Sequence, residues 1–128
     1  MLVILSGYTA VGKDTYQDWL FERNPKIKRA LSATTRPIRP GETDGKEYIF
    51  LDGANYMHLL FEDKILEERV YHTIKDGKDA VWRYGLLKQD FDEGDWIAVI
   101  DQQGTKEVLA AIWHENVRVV YLTAPEQE

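Results

Sequence analysis

Cysteine is absent from the 128 residues, which excludes disulfides and thiolate metal sites. Long apolar runs are also absent: residues 2–5 and 117–122 fall far short of the roughly 20 residues that a membrane-spanning helix needs. The chain has no excess of positive charge, since its net charge is −6 at pH 7, and this disfavours a nucleic-acid partner. The opening "MLVILSG" lacks the basic residues of a secretory signal. These absences predict a cytoplasmic protein that binds neither membranes nor nucleic acid.

The remaining composition is typical of a globular domain, with 44 % hydrophobic and 30 % charged residues. Buried-strand and amphipathic patterns predict strands at 2–5, 48–51, 65–74, 96–100 and 117–122, and helices at 15–23, 52–63, 84–91 and 105–113. A turn is predicted at 75–79, within "KDGKD". Outside the middle segment, strands alternate with helices, which predicts a parallel sheet with helices on both faces.

The stretch "SGYTAVGKDT" nearly completes the phosphate-loop pattern GxxxxGK followed by Ser or Thr. Gly7, Gly12 and Lys13 fit, and the predicted strand before them and helix after them suit phosphate binding. Asp14 stands where the hydroxyl is expected, and Thr15 supplies a hydroxyl one position later. Asp14 either contacts magnesium, directly or through water, or is simply an acid at a helix N-terminus. The alternative for the whole loop is a strand-to-helix connection with a solvated lysine.

The segment "RPIRPGETDG" combines proline, glycine and charge, which predicts an irregular surface segment. Arg36 and Arg39 lie three residues apart beside prolines, so both guanidinium groups can address one anion. Nearby hydroxyls come from Ser32, Thr35 and Tyr48. The alternative is a solvated loop in which the arginines pair with neighbouring carboxylates, namely Glu42, Asp44 or Glu47.

The order of this phosphate loop, "SATTRPIRPGETDGKEY", "ILEE", "YG" and "IDQQG" resembles guanylate kinase from residue 2 to residue 125. The resemblance implies an α/β fold: a three-layer P-loop kinase fold with a parallel sheet flanked by helices, plus a small mixed β acceptor-binding insertion. It also implies a single domain over 1–128, with a core at 1–31 and 86–128 and a GMP-binding subregion at about 32–85. The implied reaction transfers a phosphoryl group from ATP, with Mg²⁺, to GMP or dGMP.

Site residues follow from the same resemblance. The donor would contact the loop at Gly7, Ala10, Val11, Gly12, Lys13, Asp14 and Thr15. The acceptor phosphate would contact Ser32, Arg36, Arg39 and Tyr48. Glu67 would accept hydrogen bonds from the guanine edge, while Tyr84 and Gly85 help to close the site. Asp101 and Gly104 match the turn near the metal and acceptor. The implied catalytic set is Lys13, Arg36 and Arg39, and the implied metal contacts are Asp14 and Asp101.

Simpler roles compete with these: Glu67 as a surface acid, Tyr84 as a packing aromatic, and Asp101 as a helix cap. The four tryptophans are expected in the core or a hairpin, and the three histidines show no metal spacing.

Several departures from the family bear on function. Asp14 replaces a hydroxyl, and Val99 stands where the family usually has an acid. The stretch between Glu67 and Tyr84 is long, which predicts an enlarged hairpin at the mouth of the base site. The family's lid arginines and adenine-holding segment are also expected to be missing, because they follow the strand that ends at Leu122. The alternatives are therefore a non-catalytic module that binds a nucleotide or phosphopeptide, and a kinase for another nucleoside monophosphate.

Overall fold

The computed structural model describes residues 1–7, 12–112 and 116–122. Within these residues the helices are α1 (Lys13–Arg23), α2 (Gly53–Phe61) and α3 (Gln102–Ala111). The strands are β1 (Leu2–Gly7), β2 (Lys28–Arg29), β3 (Ser32–Thr34), β4 (Ile49–Phe50), β5 (Ile65–Lys75), β6 (Lys78–Leu87), β7 (Trp96–Val99) and β8 (Val117–Leu122). In this described part, no helix is long and apolar enough to cross a membrane.

The chain divides into two compact units. The core unit comprises Met1–Ala30 and Gln89–Glu128, and the inserted unit comprises Leu31–Lys88. The inserted unit starts and ends at neighbouring positions, because the Leu87 N–H donates to the Leu31 carbonyl at 3.1 Å.

The core unit is built on a parallel sheet in the order β2-β7-β1-β8. Its central strand β1 buries Leu2, Ile4 and Leu5 completely, as expected for a strand covered on both faces. The connection through α1 leads from β1 toward β2, and the connection through α3 leads from β7 in the opposite direction to β8. Since crossovers between parallel strands are right-handed, opposite directions place the two helices on opposite faces.

The inserted unit contains a mixed sheet in the order β4-β3-β6-β5. Strand β3 pairs with β4 in parallel, and β6 runs antiparallel to both of its neighbours. The predicted fold class, a parallel sheet flanked by helices with a smaller mixed sheet, is thereby confirmed.

The predicted helix at 84–91 is wrong. Strand β6 continues through Leu87, because Gly85 is paired with both β3 and β5, and the buried Leu86 is paired with β3 and faces a bulge of β5 on its other side. Backbone pairing on two sides satisfies the N–H and C=O groups of this segment, which outweighs its local helix pattern.

Strands β5 and β6 form the predicted hairpin. Their pairing extends to Lys75 and Lys78, and the turn places Asp76 and Gly77 at φ values of 52° and 76°. Positive φ at both central residues matches the turn that suits strand twist in hairpins. Along β6, Tyr84 lies between the hairpin tip and the level of Glu67. The hairpin therefore extends from Tyr84 away from Glu67, and its predicted place at the mouth of the base site stays a prediction.

Candidate functional site

The phosphate loop joins the end of β1 to the start of α1, at the carboxyl edge of the parallel sheet, where ligands of such sheets bind. Gly7 has φ 134°, and a Cβ added there would lie 2.2 Å from the Leu122 carbonyl oxygen, so the close approach of β8 requires glycine. Gly12 adopts the left-handed conformation just before α1. Ala10, Val11 and the side chain of Asp14 lie outside the described residues, so their predicted contacts stay predictions.

Lys13 folds back over the loop. Its Nζ donates to the Gly7 carbonyl at 3.0 Å, and this bond spans the segment between the two glycines. Lys13 is also the first residue of α1, where unpaired N–H groups and the helix dipole favour an anion. Thr15 is exposed on the same helical turn. The described part of the loop thus combines a positive charge with helix N–H groups, as a phosphate site requires.

Asp101 caps α3. Its Oδ1 accepts a hydrogen bond from the Gly104 N–H at 2.7 Å, which is the simpler role considered for it. The described residues contain no cluster of three or more potential metal-ligating side chains. Magnesium in phosphoryl-transfer sites needs only one or two carboxylates beside the substrate phosphates, so Asp101 fits this kind of site. Val99, two residues earlier, is 42 % exposed, and its side chain has no oxygen that could bind a metal ion or accept a hydrogen bond.

Arg36 is the centre of a second cationic cluster, in the inserted unit. It is 6 % exposed, and its Nη1 and Nη2 each donate to one oxygen of Glu42 at 2.9 Å. Nη1 also donates to the Pro37 carbonyl at 3.0 Å. Bonds to Glu42 raise the pKa of Arg36, and the same bonds lower the pKa of Glu42 from 4.5 to about 2. The sequence left two roles open for Arg36, an anion-binding group or the partner of a neighbouring carboxylate. In this structure Arg36 is paired with Glu42.

The Glu42 pair predicts an acid-sensitive contribution to stability. Because the pKa of Glu42 is lowered on folding, its contribution is full above the unfolded pKa of about 4.3 and is lost as pH falls toward 2. We expect Glu42→Gln to lower the urea midpoint at pH 6, and the difference from wild type to shrink steadily between pH 4.5 and pH 2. A difference that stays constant over this range would contradict the assignment.

The other carboxylates of this segment organise its backbone. Asp44 accepts from the Phe50 N–H at 2.9 Å, and Glu47 accepts from the Thr43 N–H at 2.8 Å. The Arg39 side chain is exposed and has no hydrogen bond or ion pair with a described residue, although its N–H donates to Glu42 at 2.7 Å. The loop thus holds Arg36 in place and leaves the Arg39 guanidinium open to solvent.

Aromatic rings surround Arg36. Its guanidinium carbon lies 5.5 Å from the ring centre of Tyr48 and 5.6 Å from that of Phe50. Tyr84 packs edge-on against Tyr48 at 5.6 Å, and the nearby Tyr84 hydroxyl also contributes, after Glu42, to the raised pKa of Arg36. Tyr84 is therefore both a packing aromatic and a neighbour of the cation. The structure brings two predicted phosphate-binding residues, Arg36 and Tyr48, together with Tyr84, which was predicted to help close the site.

Glu67 lies in a β-bulge, where Leu66 and Glu67 of β5 oppose the single residue Leu86 of β6. It is 9 % exposed and accepts from the Leu86 N–H at 3.2 Å, so it is not an ordinary surface acid. Ser32 is the β3 partner of Leu86. The two predicted side chains, Ser32 and Glu67, therefore occupy the same level of the sheet, on either side of Leu86.

Glu68 supports this bulge from the next position. Its two carboxylate oxygens accept from the Tyr56 hydroxyl at 2.8 Å and from Arg83 Nη1 at 3.0 Å. Tyr56 is completely buried, and burial together with Glu68 raises the pKa of its hydroxyl. Sequence reasoning missed Tyr56 and Glu68 as supports, because the contact joins α2 to β5 and no spacing pattern reveals it.

Gly85 is fixed by crowding. A Cβ there would lie 2.5 Å from Ile65 Cγ2 and 2.7 Å from the Tyr56 hydroxyl. We expect Gly85→Ala to lower the free energy of unfolding by about 1–3 kcal/mol, as overpacking does. Gly53→Ala is the matched control, because nothing lies within 4 Å of its Cβ position. Equal urea midpoints for the two variants would show that the site relaxes freely.

A family model described as guanylate kinase matches residues 1–128. The chain belongs to the guanylate kinase family. The guanylate kinase of Leifsonia xyli subsp. xyli is 34 % identical over 132 residues, covering 99 % of this chain, and that of Frankia casuarinae is 43 % identical over 124 residues, covering 97 %. The chain spans only 48 % and 65 % of the lengths of these two guanylate kinases.

A solved structure agrees with the guanylate kinase fold. The crystal structure of guanylate kinase from Anaplasma phagocytophilum aligns with a TM-score of 0.67 at 24 % sequence identity, covering 98 % of this chain and 61 % of that chain. At this identity the likeness supports the fold and not the substrate.

Proposed function

We propose that this chain carries the donor and acceptor sites of an ATP-dependent nucleoside monophosphate kinase, with GMP or dGMP as the acceptor. The proposal rests on one observation: a chain of this family carries Lys13 bonded to the Gly7 carbonyl beside the phosphate loop, and Arg36 held by Glu42 among aromatic rings in the inserted unit. Phosphoryl transfer depends mainly on positioned positive charge, which these sites supply.

In this proposal Lys13 and the N–H groups at the start of α1 hold the donor phosphates. Ser32, Arg36, Arg39 and Tyr48 hold the acceptor phosphate, with Tyr84 and Gly85 closing the site, and Glu67 reads the guanine edge. Glu67 suits this role because a carboxylate accepts from both an N–H and an amino group. Magnesium, held by Asp101 and the donor phosphates, would neutralise charge on the transferring group. The predicted part of Asp14 in metal binding stays a prediction.

The test is an assay of ADP release by the 128-residue protein with ATP and magnesium, run with and without GMP. We expect GMP-dependent ADP release, and dGMP should support it as well. If AMP, CMP or UMP supports faster release than GMP, the acceptor assignment is wrong and a related kinase is indicated.

A second function, a non-catalytic module that binds a phosphorylated ligand, is favoured by two observations. Arg36 is already paired with Glu42, and Val99 removes an oxygen near Asp101. The two functions differ in donor binding, since such a module has no use for Lys13. Absence of ATP binding, together with absence of GMP-dependent ADP release, would support the module.

A further inference from the structure

The inserted unit contains a β-bulge at the proposed base-reading carboxylate. Leu66 and Glu67 of β5 together oppose the single residue Leu86. Regular pairing resumes at Glu68, which is in register with Gly85. A bulge leaves one residue outside the regular ladder. Pairing between the strands therefore does not by itself fix the direction of the Glu67 side chain, and contacts next to the bulge must do so.

Two side chains from different elements hold the Glu68 carboxylate. The hydroxyl of the completely buried Tyr56, on α2, donates to Oε2 at 2.8 Å, and Arg83 Nη1, on β6, donates to Oε1 at 3.0 Å. Gly85 makes room for the first contact, because a Cβ there would lie 2.7 Å from the Tyr56 hydroxyl. Hydrogen bonds to both oxygens hold Glu68 in one place, and its backbone is directly bonded to that of Glu67.

The proposed phosphate-binding segment is held by other atoms of the same Arg83. Its main-chain N–H donates to the Thr35 hydroxyl at 2.9 Å, and its carbonyl accepts from the Thr34 hydroxyl at 2.9 Å and from the Thr35 N–H at 3.0 Å. The Thr34 hydroxyl accepts in turn from the Arg36 N–H at 3.2 Å. These bonds do not involve the Arg83 side chain. Loss of the Glu68 carboxylate therefore leaves them in place.

We propose that Glu68 is a positioning residue for base selection: held by Tyr56 and Arg83, it fixes the bulge so that Glu67 meets the edge of the acceptor base. This inference rests on the proposed function. Glu68 acts through Glu67 and does not itself touch the base. Since hydrogen bonds weaken steeply when their distance and angle change, a small displacement of the Glu67 carboxylate removes selectivity. Binding of the acceptor phosphate is spared.

The experiment measures kcat/KM for GMP and for AMP as acceptors, in the assay of ADP release with ATP and magnesium. Guanine presents an N–H and an amino group to a carboxylate, whereas the same edge of adenine presents a ring nitrogen that only accepts. We expect wild type to prefer GMP to AMP by about 100-fold to 1,000-fold, as two hydrogen bonds to a charged group do.

In Glu68→Leu we expect the preference for GMP to fall below about tenfold, because the displaced Glu67 no longer makes both hydrogen bonds. KM for GMP should rise, whereas KM for AMP should stay within about threefold of wild type. Glu68→Gln should restore most of the preference, because its amide oxygen still accepts a hydrogen bond. Glu62→Gln is the matched control, since it removes a carboxylate that pairs with the exposed side chains of His58 and Lys64.

The ratio of the two kcat/KM values does not depend on how much of a variant is folded, so a loss of stability alone does not change it. Tyr56→Phe tests the same support if Glu68→Leu fails to fold. Removal of this one hydrogen bond should lower the preference for GMP by about 3-fold to 10-fold.

The outcomes separate this inference from the function on which it rests. A wild-type protein that shows no GMP-dependent ADP release, or no preference for GMP over AMP, would overturn the proposed function and this inference with it. A wild-type preference that persists in both Glu68→Leu and Tyr56→Phe would overturn this inference alone. Equal losses with GMP and AMP in Glu68→Leu would also overturn it, because they would make Glu68 a support of the fold and not of base selection.

Discussion

For the proposed kinase reaction, we expect Lys13→Ala to lower kcat/KM for ATP by about 100-fold to 1,000-fold, the loss that follows removal of one positioned electrostatic group from a transition state. The effect is large because Lys13 is the cationic side chain that the structure places across the described ends of the loop, bonded to the Gly7 carbonyl. Steady-state ADP release at saturating GMP measures it. KM for GMP should stay near the wild-type value, because the acceptor residues belong to the inserted unit.

Lys26→Ala is the control for charge. It removes the same charge from an exposed position in the turn after α1. We expect this variant to keep wild-type kinetics, and both variants to unfold near the wild-type urea midpoint. Activity of Lys13→Ala within threefold of wild type would mean that the loop does not hold the transferring phosphates.

We expect Arg36→Met to raise KM for GMP by about 100-fold. This is the order of loss that follows when one partner of a hydrogen-bonded charge pair is removed from a binding site. The substitution also lowers the urea midpoint, since Glu42 then has a carboxylate without its bidentate partner. Arg39→Met is the comparison. It should raise KM for GMP by about tenfold and leave stability unchanged, because the Arg39 side chain is exposed.

This pair of variants separates two roles for the Arg36 cluster. A fall in stability without a change in KM for GMP would make Arg36 a structural residue only. An unchanged urea midpoint would contradict the Glu42 pairing. Both measurements use the intact chain. A circular dichroism spectrum of each variant that matches the wild-type spectrum at the assay temperature shows that the variant is folded.

The sequence predicts those parts of the fold whose signals are local. Strands β1, β7 and β8 follow from continuous apolar runs, and the hairpin turn follows from Asp76 and Gly77, which tolerate positive φ. The local pattern from Tyr84 to Leu87 favours a helix. The sequence does not reveal that this segment is a strand, because its pairing partners lie far away in sequence, at Ser32–Thr34 and in β5. Two-residue strands such as β2 are too short to leave a pattern.

Site prediction shows the same limit. Arg36, Tyr48 and Tyr84 do come together, but the sequence leaves open whether Arg36 pairs with a neighbouring carboxylate, and only the structure shows that it forms a bidentate pair with Glu42. Tryptophan is usually well buried, which predicts a core position for Trp19, but its side chain is 44 % exposed in the structure.

The bond between Leu31 and Leu87 also has an evolutionary consequence. A segment whose two ends are adjacent can be lengthened, replaced or exchanged without altering the strands that precede and follow it, because the gap that it bridges stays the same. If the inserted unit binds the acceptor as proposed, replacement of residues 31–88 can change acceptor preference while the phosphate loop stays unchanged. The hairpin of β5 and β6 lies entirely within this unit.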